Sequence, residues 1–600
     1  MTRRLMTFAV ASLLLVSLCL TASTGTTAAL KTPTAIGTGG AVATVDQDAT
    51  EAGLSVLRAG GNAVDAAVAA AAALGVTEPY SAGIGGGGFF VYYDAATGKV
   101  STLDGRETAP SGMEEDSFLD SGTGKPIPFK DAVNSGLSVG VPGTAATWDQ
   151  ALRSWGTRKL PEVLKPAIRL AAGGFTVDEE FHSQTRLNED RFRQIKPTAE
   201  LFLPGGKLPE VGSTFRNPAL AKTYIALATE GVESAFYDGD ISGDIVDAVR
   251  RPPMADGATW NFRPGSMSAT DIRKYRVRAQ EPTRISHGGL DVYGMAPSSS
   301  GGIAVGEALN ILGHFDLKQE GPVGSLHRYL GASRLAFADR NRYVGDKPQD
   351  PVDRLLGPEV ADSSACLVKS ETAIAHPAAP IDLAKPPACR TQQAAPVDPY
   401  EGTSTTHLVT ADKWGNVVSY TLTIEQTGGS AITVPGRGFL LNNELTDFDM
   451  EPITKGVYDP NLPAAGKRPR SSMSPTFVLS GGKPLLAVGS PGGATIITTV
   501  LQVLMNRLDL GMSLPEAVAA ARLSQRNREA TEAEPAFMNS PLRAALEAKG
   551  HKFVLPPGTF TEQPEIGAVA ALEFLPDGML QAAAEPVRRG GGSAGVVLPG

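Results

Sequence analysis

A threonine hydroxyl becomes a useful nucleophile only when a base takes its proton. A chain that begins with threonine carries that base in its own α-amine, of pKa about 7.7 to 8.0. Thr405, the first of the pair in STTHLVTADKWGNVVSYTLT, is a candidate for such a terminus. A proline-rich stretch precedes it, and KRPRSSMSPT and GSPGG follow it with LLNNELTDF between. Cleavage between Ser404 and Thr405 would create the amine, and the hydroxyl of Thr405 can itself attack the preceding carbonyl. Read locally, the same residues only open a β-hairpin with its turn near Lys413 to Gly415. GSPGG, at Gly489 to Gly493, sits between the apolar PLLAVGS and TIITTVLQVLM. N–H groups at such a helix start can hold a developing oxyanion, and a plain strand-to-helix turn has the same pattern. The acidic run Asp447, Asp449, Glu451 lacks the glycine and terminal Glu of a calcium loop, which leaves a solvated turn or an amine-binding site.

Other chemistries find less support. The seven histidines are scattered and form no HExxH or comparable metal-binding spacing. Gly83, Gly85 and Gly88 of GIGGGG have the spacing of a dinucleotide fingerprint but lie after a helical run and before FFVYY, the reverse of the required context, so a tight backbone crossing is expected. No GxSxG elbow is present. With 600 residues, 42% hydrophobic and 20% charged, the chain is an ordinary globular one. A net charge of -9 and a pI near 5.5 give no footprint for nucleic acid or an anionic membrane.

The elements that must position these residues can be read from periodicity and punctuation. Thr50 to Leu74 reads as two helices joined at Gly60 and Gly61, followed by strands at Phe89 to Tyr93 and Val100 to Leu103. Helices are expected around Ala145 to Trp155, Glu162 to Ala172, Asn217 to Glu230, Ile303 to Leu312 and Leu326 to Tyr343. From about Lys347 to Ser404 the Pro- and Ala-rich texture argues against a packed helix. Strands then follow at His407 to Thr410, Asn416 to Thr423, Phe439 to Leu441, Thr476 to Leu479 and Leu485 to Gly489, with helices at Ile496 to Leu508 and Leu514 to Arg522. Strands clustered on one side of the linker, with helices before and after, suggest a layered α+β architecture.

Through AGGNAVDAAVAAAAALGVTEPYSAGIGGGGFF, DGRETAP, GVPGT, APSSSGG, ADRNRYVGD and the strand-rich block after Thr405, the sequence resembles the gamma-glutamyltransferase (gamma-glutamyltranspeptidase) family of N-terminal nucleophile hydrolases. The resemblance covers nearly the whole mature chain. It implies an α+β fold of the αββα sandwich type and a precursor cut into a large subunit, 30–404 with its tail 347–404, and a small subunit, 405–600. The two would stay together as a heterodimer, with no cofactor. It implies a γ-glutamyl ester on Thr405, released to water or to an amino acid or peptide acceptor. Thr423 matches the threonine that assists the nucleophile, and Gly492 and Gly493 match the oxyanion-hole glycines.

Arg106 with Ser471 and Ser472 matches the group that holds the donor α-carboxylate, chemistry suited to a guanidinium fork. Glu444 and Asp447 match the pair that receives the α-ammonium. Two departures stand out. Glu425 occupies a position where Asn is common, and the lid GVYDPNLPAAGKRPR keeps Tyr458 but is short. Related readings keep the machinery and change the donor to a cephalosporin side chain or poly-γ-glutamate. An uncleaved, inactive envelope binding protein is the reading from another class.

Arg3 and Arg4 ahead of an apolar run from Met6 to Leu20 read as a signal peptide over 1–29, with secretion or a cell-envelope location expected and no membrane attachment after its removal. The run is shorter than a membrane span. Removing the leader takes Cys19 and leaves Cys366 and Cys389, an even pair suited to a disulfide in an oxidising compartment.

Overall fold

Fourteen strands form two seven-stranded sheets, and in one of them Thr405 immediately precedes a strand whose neighbour ends at Thr423. The computed structural model describes residues 31–346, 351–369, 371–390, 402, 404–558 and 562–598. The expected leader, 1–29, and parts of the linker, including 391–401, lie outside the described residues.

The first half of the chain supplies β1 (Thr34–Gly37), β2 (Gly40–Thr44), β3 (Gly87–Asp94), β4 (Lys99–Asp104), β5 (Arg278–Gln280), β6 (Thr283–His287) and β7 (Leu290–Gly294). The second half supplies β8 (Thr406–Asp412), β9 (Val417–Thr423), β10 (Thr476–Ser480), β11 (Lys483–Gly489), β12 (Ala570–Phe574), β13 (Leu580–Ala584) and β14 (Ser593–Val596). One sheet runs β14-β2-β8-β9-β3-β4-β5 and the other β1-β13-β12-β11-β10-β7-β6. Every pairing within them is antiparallel.

Side chains alternate across the pleat and so serve two cores. Phe90 and Tyr92 of β3 join Leu408, Tyr420 and Leu422 beneath helices α1 (Gln47–Arg58) and α2 (Ala63–Thr77). Phe89, Val91 and Tyr93 face the other way, into a core with Val478, Ala487 and Ala571 of the second sheet. That sheet is covered outside by α3 (Gly301–Leu312), α4 (Leu317–Tyr343) and α6 (Thr495–Leu504). The order helix, sheet, sheet, helix is thus read directly from the packing. All seven residues of β8 are buried, since α2 covers one side and β11 and β12 the other. A one-residue slip here would exchange the two cores' side chains, so the register is tightly specified.

Several sequence expectations need correction. Half of the strands precede residue 405, so the sheets are not the property of one side of the linker. Helix α5 (Pro358–Val368) packs within the stretch expected to hold none. Its proline sits in the first turn, where the missing N–H costs nothing, and the following Val, Ala and Leu residues are mostly buried. Phe439 to Leu441 forms only an isolated bridge, Thr433 to Leu440, because Gly436 and Gly438 take positive φ and turn the chain. The last expected helices are shorter, α6 ending at Leu504 before a π-turn and the next helix spanning Leu514–Ala519. Cys366, in α5, is joined to Cys389 with 5.4 Å between the Cα atoms. Among the described residues no helix is long and apolar enough to cross a membrane.

Candidate active site

The hairpin sets the geometry of the two threonines. Pairing of Thr406 with Leu422 places Thr405 beside Thr423 at the end of β9. Thr405 is buried, with its Oγ1 2.5 Å from the carbonyl oxygen of Ser404 and 3.4 Å from Thr423 Oγ1. Thr423 accepts from the N–H of Glu425 at 2.8 Å and donates to the Ser404 carbonyl at 2.9 Å. The bond before Thr405 is therefore polarised by a hydroxyl that is itself fixed by a backbone donor. The glycine run backs this corner. A Cβ on Gly86 would lie 2.0 Å from the Thr423 carbonyl oxygen and one on Gly85 2.0 Å from that of Leu440, so only glycine permits the crossing.

A second cluster grips the chain from the other side. Arg589 Nη1 donates to the Thr405 carbonyl at 2.7 Å, and Nη2 reaches Glu78 at 3.1 Å and Ser81 at 3.0 Å. Ser81 also meets Ser404 Oγ at 2.9 Å. Burial pushes the Glu78 carboxyl up to about 8, against the pull of Arg589. Arg589 holds a left-handed backbone, φ 56, uncommon for a side-chain-bearing residue.

The oxyanion candidates lie between β11 and α6. Gly492 and Gly493 have φ of +129 and +56, and their carbonyls accept from Thr495 and Ile496. Their own N–H groups have no hydrogen-bond partner among the described residues.

One cavity, with about 20 Å³ of free space, gathers Arg106, Ser404, Thr405, Thr423, Glu425, Glu444, Asp447, Ser471, Ser472 and Gly493. Gly402 forms part of its wall. Arg106 is 1% exposed and ion-paired with both Glu444 and Asp447, and it also donates to the carbonyls of Pro469 at 3.2 Å and Arg470 at 3.1 Å. Glu444 keeps Oε2 without a hydrogen-bond partner. Glu425 accepts from Asn443 Nδ2 through Oε2, while Oε1 has no partner. Burial, and then the charge of Asp447, hold the Glu425 carboxyl well above the ordinary carboxylate range. The cations that could have drawn Glu425 away are engaged elsewhere, Arg437 with Asp244 and Arg470 with Asp449. Glu425 also has a positive φ of 80.

Gly492 does not line this cavity, and neither does Tyr458. Tyr458 is 58% exposed at the rim of a different cavity of about 290 Å³, alongside Arg342, Ala378 and Asn527. Sequence reasoning missed Arg589, Glu78, Ser81 and Asn443. Ser81 lies inside a quoted motif, whereas Arg589 is 184 residues from the carbonyl it holds and carries no local signal. No group of three or more metal-ligating side chains occurs among the described residues.

A model of the gamma-glutamyltranspeptidase family matches residues 49–595. The chain is 40% identical to the glutathione hydrolase proenzyme of Bacillus subtilis (strain 168) over 527 residues, 86% of each. It is 35% identical to that of Escherichia coli (strain K12) over 559 residues, 91% of this chain and 90% of the relative. Among solved structures it resembles the cephalosporin acylase of Bacillus halodurans with a TM-score of 0.80 and 28% identity, over 95% of this chain and 98% of the other.

Proposed function

The chain belongs to the gamma-glutamyltranspeptidase family, and from that premise we propose that it is a self-cleaving γ-glutamyl hydrolase and transferase acting on glutathione-like donors. The observation that carries this reading is the cavity in which a paired arginine and two acids stand beside a threonine hydroxyl and the carbonyl preceding it.

In maturation, Thr405 Oγ1 attacks the carbonyl carbon of Ser404. The C–N bond breaks as the nitrogen takes up a proton, and water hydrolyses the resulting ester. The products are a carboxylate at Ser404 and an α-amine at Thr405 that serves as base. In turnover this amine removes the Oγ1 proton and the hydroxyl attacks the donor's γ-carbonyl. The Gly492 and Gly493 N–H groups receive the oxyanion, and the leaving amine departs with a proton. Water, or the amine of an amino acid or peptide, then releases the glutamyl group. The N-terminal leader directs export, and large and small subunits remain together.

The donor's charges match the pocket's. Its α-carboxylate replaces the acids on Arg106 and takes hydroxyl bonds from Ser471 and Ser472, while its α-ammonium replaces Arg106 on Glu444 and Asp447, with Glu425 beside them. A zwitterion exchanges both halves of the existing ion pair at once, whereas a donor with one charge leaves a buried partner uncompensated. The likeness to a cephalosporin acylase favours a second reading, in which the donor is a glutaryl-type amide lacking the ammonium. Matched γ-glutamyl and glutaryl anilides separate the two. The proposal expects kcat/KM at least about tenfold higher for the γ-glutamyl donor, the effect of one charge-assisted contact, and equal use would favour the acylase.

A further inference from the structure

Ten arginines are buried among the described residues, and nine of them donate hydrogen bonds to carboxylates, hydroxyls or carbonyls. Arg334, in α4, is the exception. It is 6% exposed, yet its guanidinium has no hydrogen-bond or ion-pair partner among the described residues. Its Nη1 is completely enclosed without one.

The surroundings of Arg334 do not supply the missing charge. Spacings of three and four along α4 put His327, Leu330 and Arg334 on one face of the helix. His327 Nδ1 lies 2.8 Å from Nε2 of His551, a residue from beyond Thr405 in the chain. Burial first, and then the positive charges of His327, Arg334 and Lys549, push the His551 imidazole down to about 3. The other cations of this region have carboxylates of their own, Lys549 with Glu371 at 2.7 Å and Arg328 with Glu320 at 2.9 Å. Arg334 has none. Burial lowers its pKa to about 10, which still leaves it charged at neutral pH. A buried charge without a counter-charge is costly, so a native fold that keeps one calls for an explanation.

We propose that Arg334 anchors a binding site for one small inorganic anion, chloride or phosphate, between α4 and the segment around His551. The anion accepts from the free N–H groups of the guanidinium and supplies the negative charge that the chain does not. It is small because so little of the residue is open to solvent. The two walls of the site come from opposite sides of the Ser404–Thr405 bond, so the ion also ties them together. Arg334 does not line the cavity of Thr405, and the proposal is independent of the donor that cavity takes.

Thermal unfolding of the purified protein at pH 7 tests the site. Sodium chloride and sodium phosphate are each titrated against sodium gluconate at constant ionic strength, gluconate being too bulky for so enclosed a position. The midpoint should rise by about 2 °C or more and level off in at least one titration, and the salt that saturates at the lower concentration identifies the anion. Arg334→Met should abolish the saturable rise. A wild-type response that is flat or does not saturate in either salt would overturn the proposal, and so would a saturable rise that persists unchanged in Arg334→Met. Should Arg334→Met not be recovered folded, Arg334→Gln carries the same comparison with the same two outcomes.

Discussion

Two buried arginines flank Thr405, each with carboxylates, and they differ in what they hold. Arg589 is engaged with the chain: Thr405's carbonyl, Ser81 and Glu78 are all protein groups fixed in place. Arg106 holds Glu444 and Asp447, but oxygens of Glu444 and Glu425 beside it remain without partners. Buried polar groups left unsatisfied are costly, so a native structure that keeps them calls for an explanation. From this difference we propose that Arg589 holds the polypeptide for cleavage and that Arg106 exchanges its partners for a ligand.

Separating the two by mutation should give the largest effects. Arg589→Met should leave uncleaved precursor after purification, because it frees the Thr405 carbonyl and orphans Glu78, the loss of one partner from a buried pair costing about 3–5 kcal/mol. Arg106→Met should still yield two fragments on a denaturing gel but lose about 100-fold or more in kcat/KM for a γ-glutamyl anilide. Identical processing failure in both would erase the distinction.

Glu425 sharpens the ligand side. Burial and the charge of Asp447 favour the protonated form of Glu425, and a donor ammonium beside it would favour the carboxylate, so a donor lacking the ammonium forgoes that charge-assisted contact. Glu425→Asn should therefore narrow the at least roughly tenfold preference for γ-glutamyl over glutaryl anilides, the size of one charge-assisted contact, and an unchanged ratio would remove Glu425 from donor recognition.

The smallest effect is on stability. A carboxyl whose folded-state pKa is raised contributes stability that is present below its ordinary value of 4.5 and is lost as pH rises through the folded value. Glu425→Gln, made in the uncleaved Thr405→Ala background, should thus raise the thermal midpoint at pH 8 and leave it nearly unchanged at pH 4. A gain of equal size at both would mean that Glu425 ionisation is not the cause.

The hairpin was the most legible part of the site, because β8 and β9 are contiguous, apolar and joined by a glycine-bearing turn. Its outer neighbours β2 and β14 were not, being strands of five and four residues brought together from opposite ends of the chain. The same distance hid the charge pattern. Arg106 and Glu444 are 338 residues apart, and resemblance supplied their separate roles without the ion pair that joins them. The glycine run is an instructive contrast: its helix-before, strand-after context predicted a close crossing, and the Leu440 and Thr423 carbonyls are the groups it lets in. α5 was missed because prolines on either side masked a stretch with good helical spacing.

The central claim is that Thr405 cuts its own chain and then serves as the nucleophile. Intact-mass measurement and N-terminal sequencing of the purified protein and of Thr405→Ala test it most directly. The account predicts two fragments in the wild type, the smaller beginning at Thr405, and one uncut, inactive chain in the variant. Fragments with a terminus at residue 405 in Thr405→Ala would contradict it.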